Sequence, residues 1–410
     1  MTKVKVSVLF ATFSLRNQGE RTSINGMIEP MVSVVMPKVE RFTILEQPHP
    51  GSDAVIPFIE DYQNKKLKSK SRFFLTSFLL FPFLKLINSP STSVIFKIRD
   101  FLSVFEFAIG QNKKYDLFIG LESINAIAGI FLKKLGYFDK VVYLVSDYST
   151  NRYHPKFFND LYLWLDRYAT THSDFNWDVS LAMLPARIKV GLDPKKASPT
   201  IHVPNALYPK QIAYLPASKI IPNSLVFVGT LGWINGPDIA IEALNTVLKS
   251  VPSAKLHIYG AGEPDMTRLV KLTQKLKLTD KVIFEGFISD QVQLSNAIKK
   301  HAIALAPYLE TPGSPRWWAD ATKIRLYLAA GLPVITTIVP PLGREVVNAG
   351  AGIITKDTAK DTTNAVLKLL KDKKLFDKMK KNAINRARDN TWENTYMKAF
   401  KETGFDLESQ

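Results

Sequence analysis

Continuous apolar runs recur through the second half of the chain, each followed by a segment that mixes apolar and polar residues at helical spacing. The runs are LVFVG, KLHIYGAG, KVIFEGF, AIALAPY, PVITT and AGIIT. Strands that are apolar on both faces are typical of a parallel sheet covered by helices on each side. The pattern therefore predicts a doubly wound α/β domain over residues 225–390.

The first half shows a weaker form of the same pattern. We predict a largely helical, basic interval over residues 58–109, and strands at Val4–Ala11, Thr43–Glu46, Leu117–Gly120, Val141–Val145 and Ala169–Thr171. The chain is thus predicted to form two Rossmann-like domains, 1–217 and 225–390. The stretch SKIIPNS, residues 218–224, would link them, and a C-terminal helix within residues 391–410 would pack back across this linker.

The segment SPRWWADATKIRLYLAAGLPVITT, residues 314–337, contains a helix with an unusual charge pattern. Asp320 is predicted to cap this helix, which should end before the glycine of AAGLP. Arg316 and Lys323 lie before or within its first turn, where cations oppose the helix dipole. We predict a bound phosphate as their counter-charge, with plain surface charges as the alternative. Arg325 is two residues from Lys323, so we expect it at the surface.

The charge of the chain narrows the choice of partner. The 410 residues carry a formal net charge of +17 at pH 7, which favours anionic partners. No helix-turn-helix, RNA-recognition or zinc motif is present, so nucleic acid is not the expected partner. The chain has no cysteine, and its six histidines show no metal-ligand spacing. We therefore predict neither a cysteine nucleophile nor a bound metal.

Two apolar segments raise the question of a membrane. The N-terminal stretch MTKVKVSVLFATFS is interpreted as a buried first strand, because no small-residue cleavage site of a signal peptide follows it. The segment RFFLTSFLLFPFLKLI is shorter than the roughly 20 residues that a membrane-spanning helix needs. We therefore expect a cytoplasmic protein.

Several motifs in the second half resemble one enzyme family in both order and spacing. The segments LVFVGTLGWINGPDIAIEAL, KLHIYGAGEPDMTRLV, KVIFEGFIS, LAPY and TKIRLYLAAGLPVITT are similar to family 4 glycosyltransferases. These are retaining enzymes of the GT-B fold that use nucleotide-diphosphate sugars. The resemblance implies two Rossmann-like doubly wound domains facing a central cleft. It also implies that the C-terminal domain binds the donor and the N-terminal domain the acceptor.

The chain departs from the family pattern at four positions. Where the family usually has an Arg and a Lys that bind the donor diphosphate, this sequence has Thr230 and Asn235. Where the family has two glutamates, it has Trp318 and Leu326. Arg316 and Lys323 would then take over the role lost at Thr230 and Asn235. A GT-B-like protein that has lost catalysis and only binds a glycan or a partner is the alternative function.

Further site residues follow from the predicted strand ends and from the resemblance. Asp147 ends the strand VVYLVSD and is predicted to orient an acceptor hydroxyl or to act as a base; a turn or capping aspartate is the alternative. Donor contacts are predicted at the loop and strand-end residues Gly19, Gly229, Thr230, Gly260, Gly262, Gly286 and Phe287, and at Tyr327 and Glu345. For the glycines, ordinary turns are the alternative.

Residues 65–87 combine the basic run KKLKSKSR with bulky apolar side chains. Such a segment suits the surface of an anionic membrane, where it could present a lipid-linked acceptor at the cytoplasmic face. A solvated charge run followed by a core helix is the alternative. The expected partners are therefore a nucleotide sugar, a glycan or lipid-linked acceptor and an anionic membrane surface.

Overall fold

The computed structural model describes residues 6–18, 20–22, 26–71, 74–86, 94–111 and 113–408, with side chains except those of residues 82–86. The chain forms two compact units. The first reaches Pro204 and resumes at Thr395, and the second is Asn205–Asn394. The boundary after Pro204 lies before the linker predicted at 218–224. The predicted linker overlaps a short 3-10 helix, Ala217–Lys219, and the first residue of the strand that begins at Ser224.

In its described residues, the first unit is built on a sheet of nine strands. They are β1 (Ser7–Asn17), β2 (Glu20–Thr22), β3 (Arg41–Pro48), β4 (Phe58–Gln63), β5 (Lys66–Ser71), β6 (Tyr115–Leu121), β7 (Phe138–Val145), β8 (Phe175–Asp178) and β9 (Thr200–His202). Their order is β5-β4-β3-β1-β6-β7-β8-β9, with β2 beside β1. The strands from β3 to β9 in this order run parallel, whereas β4, β5 and β2 are antiparallel additions. The chain reverses its direction of winding between β1 and β6, which is the switch point of the sheet.

The helices of the first unit belong mainly to the crossovers between its parallel strands. They are α1 (Ile28–Pro30), α2 (Leu75–Leu86), α3 (Val94–Gln111), α4 (Glu122–Lys134), α5 (Lys156–His172) and α6 (Met183–Lys189). A π-helical turn at Met31–Val35 and a 3-10 turn at Met36–Lys38 follow α1. In the described residues no helix is long and apolar enough to cross a membrane.

Two predictions for the first half were wrong. Residues 58–71 are a β-hairpin and not a helix, because Asn64 and Lys65 adopt φ values of 48° and 68° and close a two-residue turn. Asparagine tolerates this left-handed conformation, and such turns join paired strands. The strand predicted at Ala169–Thr171 is the last turn of α5, whose buried Ala169 and Thr170 continue the apolar face of that helix.

The second unit has a sheet of six parallel strands. They are β10 (Ser224–Val228), β11 (Lys255–Tyr259), β12 (Val282–Gly286), β13 (Ile303–Ala306), β14 (Val334–Thr336) and β15 (Gly352–Ile354). The order β12-β11-β10-β13-β14-β15 is that of a Rossmann domain, with the switch point between β10 and β13. The predicted doubly wound domain is therefore confirmed.

Helices cover both faces of this second sheet. They are α7 (Pro237–Val247), α8 (Asp265–Lys275), α9 (Gln291–Ile298), α10 (Thr322–Ala329), α11 (Leu342–Asn348), α12 (Ala359–Lys371) and α13 (Lys373–Asp389). Strand β10 shows why its sequence is apolar throughout. Leu225 and Phe227 pack into the core shared with α7 and α12, whereas Val226 and Val228 pack into the core shared with α10. A final helix, α14 (Trp392–Glu402), starts in the second unit and ends in the first.

Candidate functional site

A lysine without a partner lies at the switch point of the second sheet. Lys323 is in the first turn of α10, and its Nζ lies 4.3 Å from the ring centroid of Phe227 and 4.6 Å from that of Tyr308. The Nζ atom is buried and has no hydrogen-bond partner in the part of the chain that the structure describes. Burial, with a further contribution from the charge of Arg316, lowers the pKa of Lys323 to about 7. A buried cation in this state needs an anion from outside the fold.

Glycine at the end of β10 lets Lys323 occupy this position. Gly229 has φ +123°, and a Cβ there would lie 3.2 Å from Cε and 3.3 Å from Nζ of Lys323. A Cβ at Gly260 would lie 2.2 Å from the carbonyl oxygen of Gly229, which also excludes a side chain. Gly260 is therefore required by its close approach to the backbone of Gly229, whereas Gly229 is favoured by its backbone conformation and by the nearby end of the lysine.

Arg316 is the second cation of this site. It lies in the 3-10 helix Pro315–Trp317, whose start is capped by the hydroxyl of Ser314 accepting from the Arg316 backbone N–H at 3.3 Å. The indole of Trp317 fixes the same turn by donating to the carbonyl of Thr311 at 2.9 Å. Among the described residues no carboxylate forms an ion pair with Arg316, although its charge acts on both Lys323 and Tyr308. The charge of Arg316 therefore acts on Lys323 in the fold, and the binding of a phosphate by these two cations stays a prediction.

The other two charges of this segment have a different arrangement from the one predicted. Asp320 does not cap α10, because the N-cap residue is Ala321 and no side chain caps the helix. Asp320 instead pairs with Arg325 at 2.6 Å, and both side chains are 3% exposed. Its other oxygen accepts from the backbone N–H of Asn205 at 2.8 Å. Arg325 is therefore not a surface residue, since its charge is compensated inside the fold.

Thr230 and Asn235 form hydrogen bonds with each other. The amide of Asn235 donates to the hydroxyl of Thr230 at 2.7 Å and to its carbonyl at 3.1 Å. Asn235 is buried, and the pair fixes the turn that follows Gly229. The pair supplies no positive charge. Two cations reach the turn after β10: Lys323, and Arg268, which donates to the carbonyl of Leu231 at 3.4 Å and is itself paired with Asp238 and Asp265.

The remaining predicted donor residues fall into different environments. Gly262 (φ +133°) and Gly286 (φ +81°) lie in open turns where a Cβ would meet nothing, and Phe287 is 72% exposed. Tyr327 is fully buried, and its hydroxyl accepts from the N–H of Val228 at 2.7 Å and donates to the carbonyl of Leu305 at 3.2 Å. Its side chain therefore has no surface for a ligand and joins β10 to β13 instead.

Four further predicted positions complete the comparison. Glu345 pairs with Arg386 at 3.1 Å and is partly buried. Leu326 is in the apolar core of the second unit, so the residue at this position contributes no carboxylate. Gly19 lies outside the described residues. Asp147, in the first unit, follows β7 and lies 3.3 Å from Arg152, with its side chain 54% exposed.

The sequence analysis missed Glu122, the first residue of α4. It adopts φ +65°, and burial is the main cause of the raised pKa of its carboxyl group. The available signal was its place directly after the apolar strand run YDLFIGL, where ligands of α/β sheets bind.

No cluster of three or more potential metal ligands occurs among the described residues. Near the glycine turns, Arg268 is paired with Asp238 and Asp265, whereas neither Lys323 nor Arg316 forms an ion pair with a described residue.

Comparisons with known proteins bear on the nature of this site. Residues 218–386 match the family model described as "Glycosyl transferases group 1". This match confirms a resemblance to group 1 glycosyltransferases for this part of the chain and supports glycosyl transfer as its class of reaction, whereas family 4 stays a prediction. The comparison with curated protein sequences gives no match.

Solved structures of the same fold cover nearly the whole chain. Alr3699/HepE of Anabaena, solved in complex with UDP, has a TM-score of 0.66 and 14% identity over 99% of this chain and 100% of that one. Sucrose-phosphate synthase of Thermosynechococcus elongatus has a TM-score of 0.63 and 16% identity over 96% and 98%. The lipopolysaccharide outer core galactosyltransferase WaaB has a TM-score of 0.62 and 14% identity over 97% and 100%. At these identities the structures show the fold alone, which is the predicted GT-B fold of two parallel-sheet domains.

Proposed function

We propose, from the match of residues 218–386 to group 1 glycosyltransferases, that the protein transfers a sugar from a nucleotide-diphosphate sugar to a glycan or lipid-linked acceptor. The second unit would bind the donor and the first unit the acceptor. We further propose that the reaction retains the configuration of the sugar and needs no metal ion.

The observation that carries this proposal is a pair of neighbouring cations, Lys323 and Arg316, neither of which forms an ion pair with a described residue. Glycosyl transfer from such a donor leaves a nucleoside diphosphate, and negative charge grows on its terminal phosphate as the bond to the sugar breaks. Preorganised cations that face this charge stabilise the transition state more than the ground state. Lys323 and Arg316 would supply this stabilisation in place of the cations absent at Thr230 and Asn235.

Two structures of one neighbour support a nucleotide sugar as the donor. Alr3699/HepE has been solved with UDP and with UDP-glucose. UDP-sugars are therefore the first donors to test for this chain. The exposed ring of Phe287 and the open turn at Gly286 lie next to each other at the end of β12, where we propose that the base binds.

The test compares donor binding and sugar transfer in three proteins across a panel of nucleotide sugars. Lys323→Met keeps the length of the side chain but removes its charge. Lys275→Met, at an exposed position on α8, is the matched control. We expect the wild type and the control to bind and turn over one donor, and Lys323→Met to lose at least about 100-fold in kcat/KM, the range typical of one lost transition-state contact. Equal activity of Lys323→Met and wild type would refute the proposal.

A binding protein without catalysis remains the second candidate, because Trp318 and Leu326 stand where the family has carboxylates. The same panel separates the two functions. Donor binding that depends on Lys323 but is never followed by transfer or hydrolysis would favour the binding protein.

We also propose that the first unit contacts an anionic membrane at the cytoplasmic face. All side chains of β5, which include three lysines, are exposed. On α2, Leu75, Phe78 and Leu79 share one face and are 54%, 61% and 65% exposed. Cations and apolar side chains together favour an anionic lipid surface, each cation by about 1 kcal/mol.

Vesicle flotation tests this part of the proposal. We expect the wild type to bind vesicles that contain phosphatidylglycerol and not vesicles of phosphatidylcholine alone. The double change Phe78→Ser/Leu79→Ser should abolish vesicle binding. The matched control is Leu135→Ser, which should bind as the wild type does, because Leu135 is equally exposed (63%) but lies at the end of α4. Equal binding by all three proteins would contradict it.

A further inference from the structure

Glu122 lies at the switch point of the first sheet. It directly follows β6, which borders the switch point between β1 and β6, and it begins α4. Ligands of open α/β sheets bind beyond the carboxyl ends of the strands at this point. Its φ of +65° is uncommon for a residue with a side chain, and such conformations concentrate at functional sites.

The carboxylate of Glu122 is held by one oxygen and open at the other. Oε1 accepts from the hydroxyl of Ser146 at 2.8 Å, and Ser146 directly follows β7. Oε2 has no hydrogen-bond partner among the described residues, and it is not one of the fully buried atoms that lack a partner. Ser146 therefore fixes the orientation of the carboxylate, while Oε2 keeps its capacity to accept a hydrogen bond.

The neighbouring charged groups are already paired with each other. Arg152 contacts Asp147 twice, at 3.3 Å from its carboxylate and at 3.3 Å from its backbone carbonyl. The guanidinium of Arg152 lies 5.9 Å from the ring centroid of Tyr153 and 5.6 Å from that of Tyr162. Asp147, the residue that the sequence singled out, is thus engaged by Arg152, and Glu122 carries the free acceptor atom.

The environment of Glu122 selects the chemistry of its ligand. Because the carboxylate is desolvated, a hydrogen-bond donor is the partner that it lacks. Glu122 and Asp147 would both repel an anionic group, because the one guanidinium of Arg152 lies between these two carboxylates and acts more strongly on Glu122 than on Asp147. Lys97 acts on Glu122 more weakly than Arg152, and its ammonium lies 4.0 Å from Asp100. The preferred ligand is therefore neutral and rich in hydroxyl groups.

We propose that Glu122, oriented by Ser146, binds a hydroxyl group of a neutral sugar through Oε2. This inference rests on the proposed function only in taking that sugar to be the acceptor. It assigns acceptor binding in the first unit to Glu122, where the sequence had pointed to Asp147.

The experiment measures sugar binding by the full chain without any donor, by saturation-transfer NMR with the methyl glycosides of glucose, galactose, mannose and N-acetylglucosamine. We expect the wild type to bind at least one of them and Glu122→Gln to bind it about tenfold more weakly, since the amide is a weaker acceptor than a carboxylate. Glu402→Gln, at an exposed residue of α14 that pairs with Lys398, is the matched control and should bind as the wild type does.

A second variant separates a binding role from a structural one. Glycine adopts the conformation of residue 122 without strain, so Glu122→Gly should keep or raise the melting temperature while it loses glycoside binding. No binding of any glycoside by the wild type, or equal binding by Glu122→Gln and wild type, would overturn the inference.

Donor binding, measured in parallel, distinguishes failure of the Glu122 inference from failure of the proposed glycosyltransferase function. Loss of glycoside binding in Glu122→Gln supports the inference even if no nucleotide sugar binds, in which case the catalytic proposal fails instead. Donor binding that depends on Lys323, together with unaltered glycoside binding in Glu122→Gln, supports the proposed function and overturns the inference.

Discussion

The depressed pKa of Lys323 predicts how donor binding depends on pH. Burial and the charge of Arg316 lower the pKa of Lys323 to about 7, so its ammonium form is complete at pH 5.5 and is lost as the pH rises through 7. A bound diphosphate would raise this pKa again, because an adjacent anion favours the charged form. The diphosphate of a nucleotide sugar does not titrate between pH 5.5 and 9, so the change in affinity reports on the protein.

The magnitude follows from the pKa difference. At pH 8.5 the free protein is 1.5 pH units above the pKa of Lys323, and binding must then include the uptake of a proton. We expect the affinity to be about 30-fold lower at pH 8.5 than at pH 5.5, or about 2 kcal/mol. At pH 8 the uptake should approach one proton for each donor bound.

Isothermal titration calorimetry in two buffers of different ionisation enthalpy measures both quantities. The donor is the nucleotide sugar that the wild type binds most tightly. Lys323→Arg is the control, because a guanidinium stays protonated throughout and its profile should be flat. A wild-type affinity that is constant from pH 5.5 to 9, without proton uptake, would refute the assignment of Lys323 as counter-charge of the diphosphate.

Three further predictions concern the architecture around this lysine. Gly229→Ala places a Cβ 3.3 Å from the Nζ of Lys323 at a φ of +123°, so we expect the free energy of unfolding to fall by about 2 kcal/mol and donor binding to weaken. An unchanged affinity for the donor would contradict the packing argument. Asp320→Asn leaves the buried Arg325 without its counter-charge and should lower the stability in urea by about 3 kcal/mol, and a loss below 1 kcal/mol would show that the pair is not desolvated. Tyr327→Phe removes the acceptor of the buried Val228 N–H group in β10 and should lower the free energy of unfolding in urea by about 2 kcal/mol, while donor binding is unchanged. Loss of donor binding without loss of stability would instead show that Tyr327 contacts the ligand.

The fold was predictable where the apolar pattern is dense, and less so where local turn chemistry decides. Every strand from β10 to β15 coincides with an apolar run of the sequence, because both faces of that sheet are covered. The hairpin of β4 and β5 was missed because all side chains of β5 are exposed, so its sequence lacks the alternation of buried and exposed residues that indicates a strand. Its only local signal was Asn64, whose left-handed conformation permits the tight turn.

The site was predictable to a similar degree. The clustering of Arg316 and Lys323 followed from their positions at a helix start, whereas the burial of Arg325 did not. Its ion pair with Asp320 depends on the direction in which a helix face points, and spacing alone does not give that direction. Glu122 was missed although it directly follows the apolar run YDLFIGL, because its φ of +65° is a property of the folded backbone that the sequence does not show.

The contrast between Lys323 and Arg325 is the strongest argument that the second unit binds an anion. Both cations belong to α10 and both are withdrawn from water, yet within the described parts of the chain only Arg325 has a carboxylate partner. A buried and uncompensated charge costs several kcal/mol, and a fold selected for stability alone would pair it or replace it with an apolar residue. Glycine at position 229 preserves the space that the ammonium group occupies, and that glycine carries a conformational cost of its own. The buried ammonium group of Lys323 and the glycine at 229 both reduce the stability of the fold at one point of the sheet. Binding of an anionic ligand such as a diphosphate would offset this loss of stability.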